Sequence, residues 1–200
     1  PQIWECDFGI PMIGAVLNAI NTRLDANTVN FILKHGEAKV LIYDSSYSET
    51  IEKALENLEE KPVVIEVVDT IADLKRSHFA EKHNYFDYEK GLKNFEKFKI
   101  EHKLPADEWE SIALNYTSGT TGNPKGVVYH HRGAYLNSIG NTLVWEMPMY
   151  PKYLWTLPMF HCNGWCFPWT ITERAGTHVC LRQPIGEQIV NAILNHKITH

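Results

Sequence analysis

The sequence predicts an α/β domain built on a largely parallel sheet. Helical and strand-like apolar patterns alternate along its 200 residues. No internal repeat or low-complexity tract interrupts them. The composition, 44% hydrophobic and 22% charged, is that of an ordinary soluble globular chain with enough residues for a real core.

The elements follow in order. Residues 10–20 carry apolar groups at helical spacing and predict a first helix ending near Asn21. Asp25 can cap a helix over Ala26–His35, with Val29, Ile32 and Leu33 on one face and Gly36 as the stop. Lys39–Tyr43 reads as a buried strand ending at Asp44. Ser46 or Ser48 can start the next helix, where Ile51, Leu55 and Leu58 repeat at helical spacing, and Val63–Val68 is a second strand. Residues 70–108 are polar and poorly periodic, a surface excursion with a short helix near Tyr88–Phe95. Ile112–Tyr116 is a strand that runs into a Gly/Thr-rich loop, and Val127–Tyr129 resumes as a strand. A helix over Gly133–Trp145 follows, with His130 and His131 at the strand end before it and no chemistry assigned to them. Tyr153–Leu157 and Thr177–Leu181 are further strands. Pro184 suits the first turn of a helix over Ile185–Asn195. A β-branched pair at Ile198-Thr199 reads as the start of one more strand.

The formal charge of −5 argues against a broad nucleic-acid surface. Basic and aromatic residues interleave over Phe95–Lys103, but a solvated face with aromatic anchors explains them better than base stacking. The longest apolar runs, such as Ile10–Val16, are too short for a membrane span. Cys6, Cys162, Cys166 and Cys180 form no dense framework, so reduced thiols in a cytoplasmic protein are expected. The chain starts at Pro1 and stops at His200, which is expected of a fragment: one partial domain over residues 1–200.

The most informative stretch is Tyr116-Thr117-Ser118-Gly119-Thr120-Thr121-Gly122-Asn123-Pro124-Lys125-Gly126. Its glycines permit close backbone approach to an anion, and successive N–H groups can form an anion-binding concavity. Thr117, Ser118, Thr120 and Thr121 add hydroxyls without charge, and Lys125 adds one mobile cation. This is not a Walker A loop, which needs Gly-Lys followed by Ser or Thr. Here Pro124 precedes the lysine, Gly126 follows it, and the loop joins two strands.

The loop instead resembles the signature of the adenylate-forming superfamily, which comprises acyl-CoA synthetases, peptide-synthetase adenylation domains and luciferases. Ser118–Gly126 matches that signature at every position. Asn18–Leu24, Glu37–Asp44 and Pro158–Trp165 resemble flanking motifs of the same family, the last being the Pro-x-Phe-His motif beside the acyl site. The stretch Val128–Leu181 is most similar to medium-chain and methylthioalkanoate-type acid–CoA ligases, with plant-type acyl-activating enzymes as relatives.

The resemblance implies layered sheets with flanking helices, part of the large N-terminal domain of the acyl-CoA synthetase fold. It implies a two-step reaction: a carboxylic acid, fatty or related, and ATP give an acyl-adenylate, and CoA then displaces AMP. Thr117, Ser118, Gly119, Thr120, Thr121, Gly122 and Lys125 would hold phosphate, with Thr117 or Thr120 touching Mg2+. His161 would border the reacting carboxylate, and Trp165 could line the acyl pocket. A structural histidine and a core tryptophan are the competing readings of those two residues. A homodimer is compatible with the resemblance. An adenylation domain that loads a carrier protein, and a non-catalytic nucleotide-binding relative, are the alternatives. The adenine-binding segment, the Thr-Glu pair, the ribose-binding aspartate and the catalytic lysine of relatives match nothing here, so the chain alone is expected not to catalyse adenylation. His161, Cys162 and Cys166 also suggest zinc, but a structural site needs four ligands. A Cys/His nucleophile pair is the other weak reading.

Overall fold

The computed structural model describes residues 1–99, 101–117 and 123–200. They form two compact units. One comprises Ile20–Glu101 and Tyr116–Gly126, and the other Pro1–Ala19, His102–Asn115 and Val127–His200.

In the first unit three parallel strands lie in the order β2 (Val40–Asp44), β3 (Val63–Val67), β4 (Phe86–Asp87), with Val40 opposite Val63 and Ile65 opposite Phe86. Helix α2 (Ala26–His35) starts where Asp25 predicts, because the Asp25 carboxylate accepts from Thr28 N–H at 2.9 Å. Its face of Val29, Ile32 and Leu33 is buried, and α3 (Ser48–Glu56) buries Ile51 and Leu55. Each such side chain contributes about 1.5–3 kcal/mol by leaving water. The expected stop at Gly36 differs in detail: Gly36 stays at φ −84°, and Glu37 takes the left-handed conformation at φ 49°.

Residues 70–108 are less peripheral than their polarity suggests. Besides the expected helix, here α5 (Tyr88–Phe95), they supply α4 (His78–Lys82) and β4. Phe79 of α4 joins the core of Val29, Leu33, Leu41, Leu55 and Val64. The carboxylate of Glu66, on β3, is fully buried there. It accepts from Tyr43 O–H at 3.0 Å, from Ser77 N–H at 3.1 Å and from the Ser77 hydroxyl. That set of donors is what a buried carboxylate requires.

In the second unit the expected helix over residues 10–20 is displaced. Helix α1 is Gln2–Met12; Gly14 turns the chain at φ 77°, and β1 (Leu17–Asn18) pairs parallel with β5 (Ser111–Tyr116). The reason is the period: Leu17 and Ala19 are buried two residues apart, as strand residues are. Strand β6 (Gly126–His130) lies beside β5, and α6 (His131–Val144) follows it directly. Nδ1 of His130 accepts from Gly133 N–H at 2.8 Å, so this histidine caps α6.

Strands β7 (Lys152–Trp155) and β8 (Thr177–Cys180) pair in parallel. Leu154 N–H donates to His200 O at 2.8 Å and Thr199 N–H to Lys152 O at 2.9 Å, so residues 199–200 run as an extended segment beside β7. The last helices are α7 (Phe167–Glu173) and α8 (Gly186–His196). Ile185 is the N-cap of α8, which puts Pro184 just outside the first turn where it was expected. All four cysteines are free. Among the described residues no helix is long and apolar enough to cross a membrane.

Candidate functional site

The Gly/Thr loop is described at its two ends. Strand β5 delivers Tyr116, whose hydroxyl lies 2.7 Å from Nδ1 of His35 at the end of α2. The next residue, Thr117, donates its N–H to the carbonyl of Lys125 at 3.0 Å. Thr117 and Lys125 are therefore held side by side. Ser118, Gly119, Thr120, Thr121 and Gly122 lie outside the described residues. Thr117 and Lys125 are both exposed. Among the described residues the Lys125 ammonium has no carboxylate partner and the Thr117 hydroxyl no hydrogen bond. These are the groups a phosphate or a hydrated cation can use, and Thr117 fits as one oxygen ligand to magnesium.

His161 and Trp165 belong to the other unit and share one turn. Its backbone is left-handed over five consecutive residues: Cys162, Asn163, Gly164, Trp165 and Cys166 have φ of 52°, 47°, 55°, 58° and 65°. Gly164 N–H donates to His161 O and Cys166 N–H to Asn163 O, both at 3.0 Å, so the turn is a short left-handed helix. Left-handed backbone costs about 1–2 kcal/mol for each non-glycine residue. Neighbouring groups therefore have to hold it.

Asn163, fully buried, donates to Asp7 of α1 at 3.3 Å and accepts from the amide of Asn115. The Trp165 carbonyl accepts from Asn141 at 2.9 Å, and Cys166 O accepts from Thr170 N–H at 3.0 Å. At Gly164 a Cβ would meet the Trp155 ring at 2.7 Å, so a side chain has no room there. The turn presents an exposed His161 and an exposed Trp165, a residue that is 59% accessible. Trp165 is thus not a core residue of this chain. The His161 imidazole has no hydrogen-bond partner among the described residues, so its ring nitrogens face solvent.

Burial sets the electrostatics of this unit. Asp7 is pushed up to about 7 by desolvation, against the lowering effect of Asn163. Cys166 is raised by burial and Tyr129, hydrogen-bonded to Cys162, is pushed up to about 12, again mainly by burial. A raised thiol is the opposite of an activated nucleophile. Among the described residues no three His, Cys, Asp or Glu side chains gather as metal ligands.

Sequence reasoning singled out His161 and Trp165 but not Asp7, Asn115 and Asn163, which hold the turn between them. The Asn163-Gly164 pair was the available signal, since those two residue types enter left-handed backbone most readily. Nothing in the sequence marks Asp7 as its partner.

A family model for the AMP-binding enzyme matches residues 1–200. The chain belongs to the AMP-binding enzyme family. It is 44% identical over 207 residues to a peroxisomal acetate/butyrate–CoA ligase of Arabidopsis thaliana. It is also 44% identical over 209 residues to a peroxisomal trans-cinnamate:CoA ligase of Petunia hybrida. Both alignments cover 100% of this chain but only 36% and 37% of those proteins, so the chain spans little more than a third of their length. Two solved structures share its fold. The N-terminal domain of FACL13 from Mycobacterium tuberculosis has a TM-score of 0.75 at 23% identity, over 96% of this chain and 44% of that one. A putative long-chain-fatty-acid CoA ligase from Rhodopseudomonas palustris has a TM-score of 0.78 at 20% identity, over 99% and 46%. The α/β layering expected from the sequence is therefore the fold of acyl-CoA synthetase N-terminal domains, as the first of these structures shows.

Proposed function

We propose that the full-length protein carrying this chain is an AMP-forming acid–CoA ligase acting on a fatty or related carboxylic acid. The observation that carries the reading is the loop at residues 117–125. Its sequence fits a polyphosphate cradle, its ends are tied by the bond from Thr117 N–H to Lys125 O, and Lys125 has no carboxylate partner among the described residues.

In the first step a carboxylate oxygen attacks the α-phosphorus of ATP, and the bond to pyrophosphate breaks. Two anions must meet, so neutralisation and positioning dominate the barrier. Lys125 and the N–H and hydroxyl groups of Thr117, Ser118, Gly119, Thr120, Thr121 and Gly122 hold the β- and γ-phosphates. Thr117 or Thr120 would hold Mg2+, which would supply further charge neutralisation. His161 contributes a hydrogen bond beside the reacting carboxylate, and Trp165 gives the acyl chain an apolar wall. In the second step the CoA thiol attacks the acyl carbon and AMP leaves. A cytoplasmic setting suits the four free thiols, although both relatives compared above are peroxisomal. A homodimer is part of this reading.

The test is acid-dependent ATP–pyrophosphate exchange by the purified full-length protein, followed by AMP release on adding CoA. Exchange without CoA-dependent release redirects the reading to a carrier-protein acceptor. No exchange across short, medium, long and aryl acids overturns it.

A further inference from the structure

The turn over Cys162–Cys166 is the longest run of left-handed residues in the described backbone; it contains Trp165 and follows His161 directly. We propose that Asp7 and Asn115 are positioning residues that act through Asn163, locking this turn so that His161 and Trp165 keep their places against the acid substrate. The part concerning substrate rests on the function proposed above; the lock itself does not.

Three observations support it. First, the three side chains are buried, at 1% for Asp7, 9% for Asn115 and 0% for Asn163, yet they come from a helix, a strand and the turn. Second, Asn163 is held at both ends of its amide. Its Nδ2 donates to Asp7 Oδ1, and its Oδ1 accepts from Asn115 Nδ2. Third, the cluster is poor as a stabilising device, because Asp7 Oδ2 and Asn115 Oδ1 are buried without hydrogen-bond partners. An apolar cluster of the same volume would avoid that desolvation cost. What the polar version supplies is a fixed orientation for Asn163, and hence for the turn on either side of it.

The polarity of the Asp7–Asn163 contact can be exchanged, which gives a direct test in the full-length protein at pH 8. Asn163→Asp sets two carboxyl groups against each other. Asp7→Asn with Asn163→Asp restores one donor and one acceptor, and Asn115 can still donate to position 163. Two readouts are taken. The first is the Trp165 emission and its acrylamide quenching, obtained by difference against Trp165→Phe. The second is the KM for the acid beside the KM for ATP. Asn163→Asp is expected to increase Trp165 quenching and raise the acid KM about tenfold or more, with the ATP KM within about twofold. The double variant is expected to recover both.

If Asn163→Asp does not fold, Asn163→Gly replaces it, because glycine accepts the left-handed backbone while removing the amide. Unchanged Trp165 quenching and acid KM in Asn163→Asp or Asn163→Gly overturns the proposal. So does a folded double variant that recovers neither. If the wild type makes no acyl-adenylate, the ligase reading fails, and the Trp165 measurement alone decides the lock.

Discussion

The indole N–H of Trp155 donates to Nδ1 of His178 at 3.0 Å, and that bond exists only while the imidazole is neutral. With Nδ1 accepting, Nε2–H donates to the Thr172 hydroxyl at 3.1 Å, which in turn donates to Pro168 O at 2.8 Å. The ring packs against Trp4 and Trp155, and burial pushes its pKa down to about 4. The lowered value makes this group a source of stability above the unfolded value of 6.5, lost as pH falls toward 4. The full shift corresponds to at most about 3 kcal/mol, and partial solvent access reduces it to about 1–2. His178→Gln, which keeps an acceptor but cannot titrate, is expected to be destabilised at pH 7. Its deficit should shrink by that amount between pH 6.5 and 4, measured by urea denaturation. Parallel profiles across that window would show that His178 does not titrate as inferred.

Asp7 has the opposite sign. Burial raises its pKa from 3.8 to about 7, so its contribution to stability is intact below pH 3.8 and lost as pH rises through 7. Asn is the nearest neutral isostere and preserves the bond from Asn163 Nδ2 to Oδ1. Asp7→Asn is therefore expected to stabilise the protein by about 1–3 kcal/mol at pH 8 and by almost nothing at pH 4. Melting temperatures at the two pH values check it. A variant less stable than wild type at pH 8 would mean that the ionised carboxylate is stabilised by groups other than those named.

These two residues also mark where sequence reading stops. Asp25 was legible as a cap because its partner, Thr28, is three residues away. The helix face of Val29, Ile32 and Leu33 was legible through its period, and the family signature at residues 118–126 through its residue types. The pairing of Asp7 with Asn163 joins residues 156 apart, and no local pattern encodes it. Helix α4 was hidden because one buried aromatic, Phe79, anchors an otherwise charged stretch. The first helix was misplaced because Ile10–Ile20 satisfies a helical period, while pairing with β5 imposes a strand on Leu17–Asn18. Family membership carried by residue type was readable; geometry held by long-range polar contacts was not.

His130 and Gly133 form a cap that tolerates little change. A Cβ at Gly133 would lie 2.9 Å from Cε1 of His130, so Gly133→Ala must displace the imidazole that accepts its N–H. Loss of an N-cap costs about 0.5–2 kcal/mol. Gly133→Ala and His130→Ala are each expected to cost about that much, and the double variant distinctly less than their sum, because both remove the same bond. Additive losses in a double-mutant cycle would refute the shared cap.

Gly164 tests the turn from its other side. It sits at φ 55°, and an added Cβ would come within 2.8 Å of two carbons of the Trp155 ring. That ring is fixed by Tyr153 and His178, so it cannot withdraw freely. Gly164→Ala is expected to cost about 2–4 kcal/mol, through left-handed strain and overpacking together. Adding Trp155→Phe removes the ring atoms in conflict and should recover the packing share but not the backbone share. The denaturation midpoints of the single and double variants separate the two, and complete recovery would show that the left-handed backbone at 164 carries no strain.

Lys125 is the residue on which the proposed chemistry is most exposed to refutation. Its ammonium has no carboxylate partner among the described residues and its carbonyl closes the loop by accepting from Thr117 N–H. Lys125→Ala removes the charge and leaves that backbone bond, so the fold should be unaffected, within about 0.5 kcal/mol, as for other exposed substitutions. Activity should behave differently. Neutralising phosphate charge is a transition-state contribution, and its loss is expected to lower kcat/KM for ATP by about 10–1000-fold in the full-length protein. Lys125→Arg keeps the charge but not the compact ammonium, and should fall between the two. An unchanged kcat/KM for ATP in Lys125→Ala would remove the loop cation from the mechanism.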